Sequence, residues 1–400
     1  MRMHHMLLET LLETMAHCEG SDLHIKSGAV ARARVSGEIA ALSDEPVSEA
    51  QMEAAARALV GDAGLSQLKR EKKGLDTYYL SEAGRRYRVN LFLHLKGFAA
   101  VFRVIASESP PLEVLGLPPA VADMARLQRG LVLVTGSTGS GKSTTLTAMI
   151  DLINREQPKH IVTIEDPVEF VHSDIRSIIE QRNIGEHASD FASALKDALR
   201  EDPDIILVGE MRDMETINMA LHAANTGHLV FSTLHTLDAK ETVSRVIGVF
   251  PAPEQNRVRL ALAAVLQGVI AQRLVRSTDG GRVAAVEVMK VSARIREMIR
   301  HGREHEILDA IEEGSRAQGM QSFDQALLAL VREGKIGRKE ALSNATRPAD
   351  LMIALEGESG YGGEVIALKE SEPLPEQALE VEIPDPSPVR GNLLKSIRSK

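Results

Sequence analysis

The chain has 400 residues, 44% of them apolar, enough for two or three domains with buried cores, which excludes a wholly unfolded protein. Aromatic residues amount to 3% with no Trp, and the formal charge is −9, so neither a base-stacking platform nor a basic footprint is present and nucleic acid is not an expected partner. The single cysteine, Cys18, excludes an intrachain disulfide and a cysteine-based zinc module, and no apolar run approaches the roughly 20 residues of a membrane helix, so a cytoplasmic protein with at most peripheral membrane association is expected.

Residues 1–108 read as a mixed α/β unit. A helix near Leu7–His17 is followed by short strands in DLHIKS, ARARV and EIAAL, a helix over Glu49–Leu59, and two alternating runs at Arg86–Leu95 and Phe98–Ile105. SESPP, Ser107–Pro111, interrupts the pattern as a linker. From 109 to 292 apolar strands alternate with helices (LVLVT, HIVTI, DIILVGE, HLVFSTL and AAVEVM), which predicts a mostly parallel sheet with helices on both faces. Residues 293–355 are helical in pattern. Residues 356–400 are Glu- and Pro-rich, with nine acids against one lysine between Glu356 and Pro386, and read as a disordered tail that carries much of the chain's negative charge.

Within the alternating region, GSTGSGKSTT matches G-x-x-x-x-G-K-[ST]. GLVLVT (Gly130–Thr135) before it reads as a buried strand. Lys142–Asn154 after it reads as a helix with Leu146, Met149, Ile150 and Ile153 on one face. In that context Gly136, Ser137, Thr138, Gly139, Ser140, Gly141, Lys142, Ser143 and Thr144 form a phosphate-binding loop. Its glycines let successive N–H groups face phosphate oxygens, and the helix N-terminus adds positive potential. Lys142 reaches the β and γ phosphates of a nucleoside triphosphate, and the Ser143 hydroxyl ligates Mg²⁺.

Further chemistry follows downstream. Glu210 stands just past the apolar strand Ile205–Val208, where open α/β sheets bind ligands, and is the candidate for activating water and for contacting the metal. Glu165, Asp166 and Glu169 in TIEDPVE fit either a polarised water or divalent cation, or a solvated acidic loop. His228 and His235 bracket an apolar strand; phosphate sensing and a structural role both fit that spacing. Arg86 and Arg88 share a strand face, with Arg103 on the next strand. An arginine clamp on the phosphates of another domain or subunit and an exposed basic face are equally compatible with this pattern.

In order and spacing, GSTGSGKSTT, TIEDPVEF, ALREDPDIILVGEMRD and TGHLVFSTLHT resemble the ATPases of type II secretion and type IV pili, and within them the twitching-motility retraction ATPases, the PilT/PilU group. SDLHIKSG (Ser21–Gly28) and GMQSFDQALLAL (Gly319–Leu330) resemble the same group, so the likeness covers residues 1–350. It implies a PAS-like N-terminal domain and a RecA-like P-loop ATPase domain with C-terminal helices, in a ring homohexamer with ATP and Mg²⁺ between the two domains. It also implies Lys142 and Ser143 on the phosphates and Mg²⁺, and Glu210 as catalytic glutamate. Glu169 falls in the acidic box, His228 and His235 in the histidine box, and Arg86, Arg88 and Arg103 in the N-terminal arginine set. The implied activity is ATP-driven pilus retraction at the inner-membrane base of the pilus machine, acting on a membrane platform protein and with a paralogous retraction ATPase as a second partner. Extension and secretion ATPases carry a longer N-terminal region and a four-cysteine zinc element, which this sequence lacks. The group's C-terminal motif AIRNLIRE corresponds to RIREMIRH, keeping Ile295, Arg296, Ile299 and Arg300, so the principal motor and its accessory paralogue both remain as readings.

Overall fold

The computed structural model describes residues 2–35, 37–105, 109–314 and 318–356. The acidic tail after Glu356, and Ser107 and Glu108 of the expected linker, lie outside them.

The N-terminal elements are α1 (Arg2–His17), β1 (Asp22–Lys26), β2 (Ala29–Val35), β3 (Glu38–Val47), α2 (Glu49–Glu71), β4 (Leu75–Leu80), β5 (Arg86–His94) and β6 (Gly97–Val104). The strands form one antiparallel sheet in the order β3-β2-β1-β6-β5-β4. Alternation sets its two faces: Leu23 and Ile25, Tyr87, Val89 and Leu91, and Phe98, Ala100 and Phe102 point inward. They meet Leu8, Leu11, Leu12 and Met15 of α1, spaced for one helical face, and Met52, Ala56, Leu65 and Leu68 of α2. A Ser48–Gln51 capping box starts α2, which runs past the expected end at Leu59 through a kink at Gly61 (φ +67°). The edge strand β4, not expected from the sequence, pairs with β5.

The second sheet is built from β7 (Gly130–Thr135), β8 (His160–Glu165), β9 (Ile178–Asn183), β10 (Ile205–Val208), β11 (Leu229–Leu234), β12 (Leu266–Arg276) and β13 (Arg282–Lys290). Its order is β13-β12-β7-β11-β10-β8-β9, parallel except for β13, which runs antiparallel to β12. Continuous apolar runs such as Leu131–Val134 and Ile205–Val208 are buried because both faces are covered. On one face lie α3 (Pro119–Ala125) and α4 (Lys142–Glu156). On the other lie α5 (Phe191–Ala198), α6 (Met214–Asn225), α7 (Ala239–Gly248), α8 (Ala252–Val265), α9 (Ala293–Arg300) and α10 (Ile307–Glu313). The helices α11 (Phe323–Arg332), α12 (Arg338–Asn344) and α13 (Pro348–Glu356) pack Phe323, Leu327, Ala341 and Leu351 on Ala271, Val275 and Ala285 of β12 and β13. Two strands went unanticipated. Strand β9 is mixed in polarity, and β12 follows α8 with no intervening turn, since Leu266 both ends the helix and begins the strand.

Candidate functional site

Parallel register decides which strand ends meet. Thr135 lies level with Leu234, and Val208 lies level with both Ser232 and Ile164. The chain therefore leaves β7, β11, β10 and β8 at one edge of the sheet, carrying the phosphate loop, His235, Glu210 and Glu165–Glu169 to the same place. A cavity of about 320 Å³ opens there, walled by Thr138, Gly139, Lys142, Ser143, Glu165, Glu169, Glu210 and His235.

The loop's conformation follows from its glycines. Gly136, Gly139 and Gly141 take φ of +143°, +78° and +92°. A Cβ on Gly136 would stand 2.4 Å from both the Gln272 carbonyl and the Ser140 hydroxyl, so no other residue closes the loop this tightly. The Ser140 hydroxyl is buried beneath the loop without a hydrogen-bond partner. Lys142 lies back across the loop, donating from Nζ to the carbonyls of Gly136 at 2.9 Å and Ser137 at 3.0 Å. Burial pushes its ammonium pKa down, while the charges of Glu210 and Glu169 push it up without cancelling that effect.

Helix α4 has Gly141 at its N-cap and no side-chain cap, whereas α5, α6 and α7 are each capped by an aspartate. A missing cap costs about 1 kcal/mol. Burial of each of Leu146, Met149, Ile150 and Ile153 contributes about 1.5–3 kcal/mol, so packing holds the helix and leaves its first N–H groups free for an anion.

Glu210 is placed by its neighbour Gly209. The Gly209 N–H donates to the Ile164 carbonyl at 2.7 Å, its own carbonyl accepts from the Thr233 hydroxyl at 2.6 Å, and a Cβ there would meet the Ile164 oxygen at 3.1 Å. The Gly-Glu ending of the strand thus lets β8 and β11 grip the backbone just before the catalytic candidate. The Glu210 carboxylate meets Arg212 Nε at 2.7 Å and His235 Nε2 at 3.4 Å. Burial pushes its pKa up, but the Arg212 hydrogen bond and the His235 and Arg212 charges outweigh that and hold it below the ordinary glutamate value. Glu165 behaves in the opposite way. Burial pushes its carboxyl up against hydrogen bonds from Thr163 (2.7 Å) and Gln181 (3.3 Å), with Glu169 adding to the rise.

Arg212→Ala is expected to raise the Glu210 pKa. A base must be ionised to act, so the acidic limb of the kcat–pH profile moves to higher pH while the alkaline side stays in place. A stopped-flow phosphate-release profile checks this, and an unmoved acidic limb would disconnect Arg212 from the ionisation of Glu210.

Not every residue singled out from the sequence arrives at the cavity. His228 precedes β11 at the opposite end of the strand, roughly 20 Å from His235 at about 3.3 Å per residue. There its Nδ1 lies 2.9 Å from the Ala223 carbonyl and its own carbonyl accepts from the Gly130 N–H, contacts that hold it at the base of the sheet. Arg86, Arg88 and Arg103 are not among the residues that wall the cavity. They occupy the outer face of the N-terminal sheet, because alternation turns Tyr87, Val89 and Phe102 into the core. Arg103 pairs with Asp22 at 2.7 Å, Arg88 approaches Asp76 at 3.7 Å, and Arg86 is exposed. Conversely, Arg212, Phe191 and Thr233 wall the cavity without having been singled out. For Arg212 the available signal was its position two residues after the strand-end Glu210.

A mostly parallel sheet with a phosphate loop after β7, a buried lysine in that loop and a glutamate at the same edge after β10, two strands away, defines a P-loop ATPase. A protein-family model described as type II/IV secretion system protein matches residues 7–343, and the chain belongs to that family. The type IV pilus retraction ATPase PilT of Pseudomonas aeruginosa is 44% identical over 340 residues, 84% of this chain and 98% of the relative. The type IV pilus ATPase PilU of the same organism is 37% identical over 358 residues, 88% of this chain and 93% of the relative. A crystal structure of the pilus retraction motor PilT with bound ADP superposes with a TM-score of 0.80 at 38% identity, covering 86% of this chain and 98% of the other. The PAS-like and RecA-like α/β organisation read from the sequence is thereby the family's two-domain fold, and the chain is a nucleotide-binding ATPase of the type II/IV secretion class.

Proposed function

We propose that this protein is a Mg²⁺-dependent ATPase motor that powers type IV pilus retraction, working as a homohexamer. The single observation that carries the catalytic part is the convergence of Lys142, Ser143, Glu210 and His235 on one cavity at the carboxyl edge of the parallel sheet. The retraction assignment is supported by the name of a relative 44% identical over nearly its whole length, and by higher identity to PilT than to PilU.

In this reading the N–H groups of the loop and of the α4 N-terminus receive the phosphates, and Lys142 leaves the Gly136 and Ser137 carbonyls to neutralise charge developing on them. Glu210, kept ionised by Arg212 and His235, accepts the proton of the attacking water as the bond from the γ-phosphorus to the β–γ bridging oxygen breaks, giving ADP and phosphate. The Ser143 hydroxyl and Glu210 would hold Mg²⁺. Mg²⁺ keeps several waters and phosphate oxygens and takes few protein ligands. When bound, Mg²⁺ supplies charge neutralisation at the phosphates. Glu165 and Glu169 complete the acidic wall that orders water there.

Arg86, Arg88 and Arg103 are not among the residues that wall this chain's own cavity, and we assign them to the nucleotide of a neighbouring subunit in the ring. No described helix is long and apolar enough to cross a membrane. We place the motor at the cytoplasmic base of the pilus, against an inner-membrane platform protein and together with a paralogous ATPase. Deleting the gene in a piliated host tests the assignment: loss of twitching with an excess of surface pili is expected. Missing pili would instead indicate an extension ATPase, and near-normal retraction an accessory subunit.

A further inference from the structure

We propose that Glu287 is a positioning residue for ATP hydrolysis, its carboxylate tying the N-terminus of α7 to strand β13 and so holding the His235 turn against Glu210. Glu287 lies mid-strand in β13, opposite Ala271 of β12, and is 2% exposed. A carboxylate at such a site is costly unless hydrogen-bonded. Its Oε1 accepts from the Ala239 N–H at 2.8 Å. Ala239 is the first residue of α7, so the carboxylate faces the positive end of that helix.

The helix does not need it as a cap, because Asp238 already accepts from the Glu241 N–H at 2.7 Å. What Glu287 adds is a link between strand β13 and the start of α7. From Ala239 back to His235 the chain is one braced turn. The Leu237 N–H donates to Glu241 at 2.8 Å, the Thr236 and Thr242 hydroxyls are 2.7 Å apart, and Thr242 donates to the Asp238 carbonyl at 2.7 Å. Such a turn moves with the start of α7, and at its head His235 stands 3.4 Å from Glu210.

The charged surroundings fit a held carboxylate. Asp238 of α7 opposes its charge, and Arg273 of β12 favours it while stacking 3.8 Å over the Phe323 ring. Lys240, His305 and Arg347 line a cavity of about 280 Å³ beside it. Burial pushes the carboxyl up to about 7 in spite of the Ala239 donor, so the contact persists through hydrogen bonding rather than through favourable solvation.

The proposal rests on the assignment of His235 and Glu210 made above, and steady-state ATP hydrolysis by the full chain separates the two. In Glu287→Met, which keeps volume but loses the acceptor, kcat is expected to fall on the order of tenfold to a hundredfold, as for a misplaced catalytic group, with KM for ATP within about twofold. Glu287→Gln keeps a carbonyl acceptor in place and restores most of kcat. In a His235→Ala background Glu287→Met costs nothing further, because both changes remove the same interaction. Full kcat in Glu287→Met, failure of Gln to rescue, or losses that add completely would each overturn the proposal. Glu287→Asp withdraws the carboxylate by one methylene while keeping its charge, so full kcat in that variant overturns it even where the Met variant does not fold. Wild-type kcat in His235→Ala removes the earlier assignment and this one together, whereas a loss there with full kcat in the Glu287 variants removes only this one.

Discussion

Replacing Glu210 with Gln is expected to lower kcat for ATP hydrolysis by roughly 10²–10⁴-fold, the range that general-base catalysis supplies. Nucleotide affinity is expected to stay within a few-fold, since the phosphates are held by the loop and by Lys142. The substitution is nearly isosteric: Gly209 still fixes the backbone between Ile164 and Thr233, and an amide still fills the space beside Arg212 and His235. What is lost is the ability to take a proton. Measuring ADP binding by calorimetry alongside phosphate release distinguishes this from collapse of the site. Undiminished turnover would take Glu210 out of its assigned role, and an equal loss of affinity would recast it as a binding residue.

Replacing Lys142 with Ala is expected to lower kcat/KM by about 10²–10³-fold, the cost of losing one preorganised charge on a developing anion, and here affinity for ADP is expected to fall as well. Two effects oppose one another. The ammonium is buried and pushed toward neutrality, so removing it relieves a desolvation cost; it also spans the loop through the Gly136 and Ser137 carbonyls, so removing it loosens the loop. Little change in thermal stability without nucleotide is therefore expected, together with loss of the stabilisation that ADP gives the parent protein. A melting-temperature shift with ADP as large as that of the parent would show that the lysine does not hold the phosphates. The contrast with Glu210→Gln, where that shift persists, separates binding from chemistry.

Much of the site was legible along the chain because its parts are local. The phosphate loop is a run of ten residues whose glycines, lysine and serine each answer a requirement within the run, and the strand before and helix after it have their own periodicities. Glu210 was legible because a strand end in an α/β sheet is a functional place and the strand Ile205–Val208 is unmistakably apolar. Arg212 stands two residues after Glu210, but that spacing does not separate an arginine facing solvent from one that pairs with the carboxylate, which the fold decides. The two histidines flank β11 at opposite ends, and the register with β7 carries His235, not His228, to the phosphate loop, a difference that spacing along the chain does not show. Strands β4, β9 and β12 escaped because an edge position tolerates mixed polarity and a helix running directly into a strand erases the boundary.

The sequence by itself determined the chemistry on offer: a loop that binds phosphate, acids at strand ends, arginines on an alternating strand and cores sufficient for an α/β fold. The tertiary structure decided which of these groups meet. Sheet order β7-β11-β10-β8 brings ends separated by up to 100 positions along the chain to one edge, from Thr135 to His235. Gly209 is gripped by strands on either side of it, and Glu287 joins strand β13 to a helix start 48 positions earlier in the chain. Hydrogen bonds and packing of that kind depend on topology and register, and they leave no periodic trace in the residues that make them.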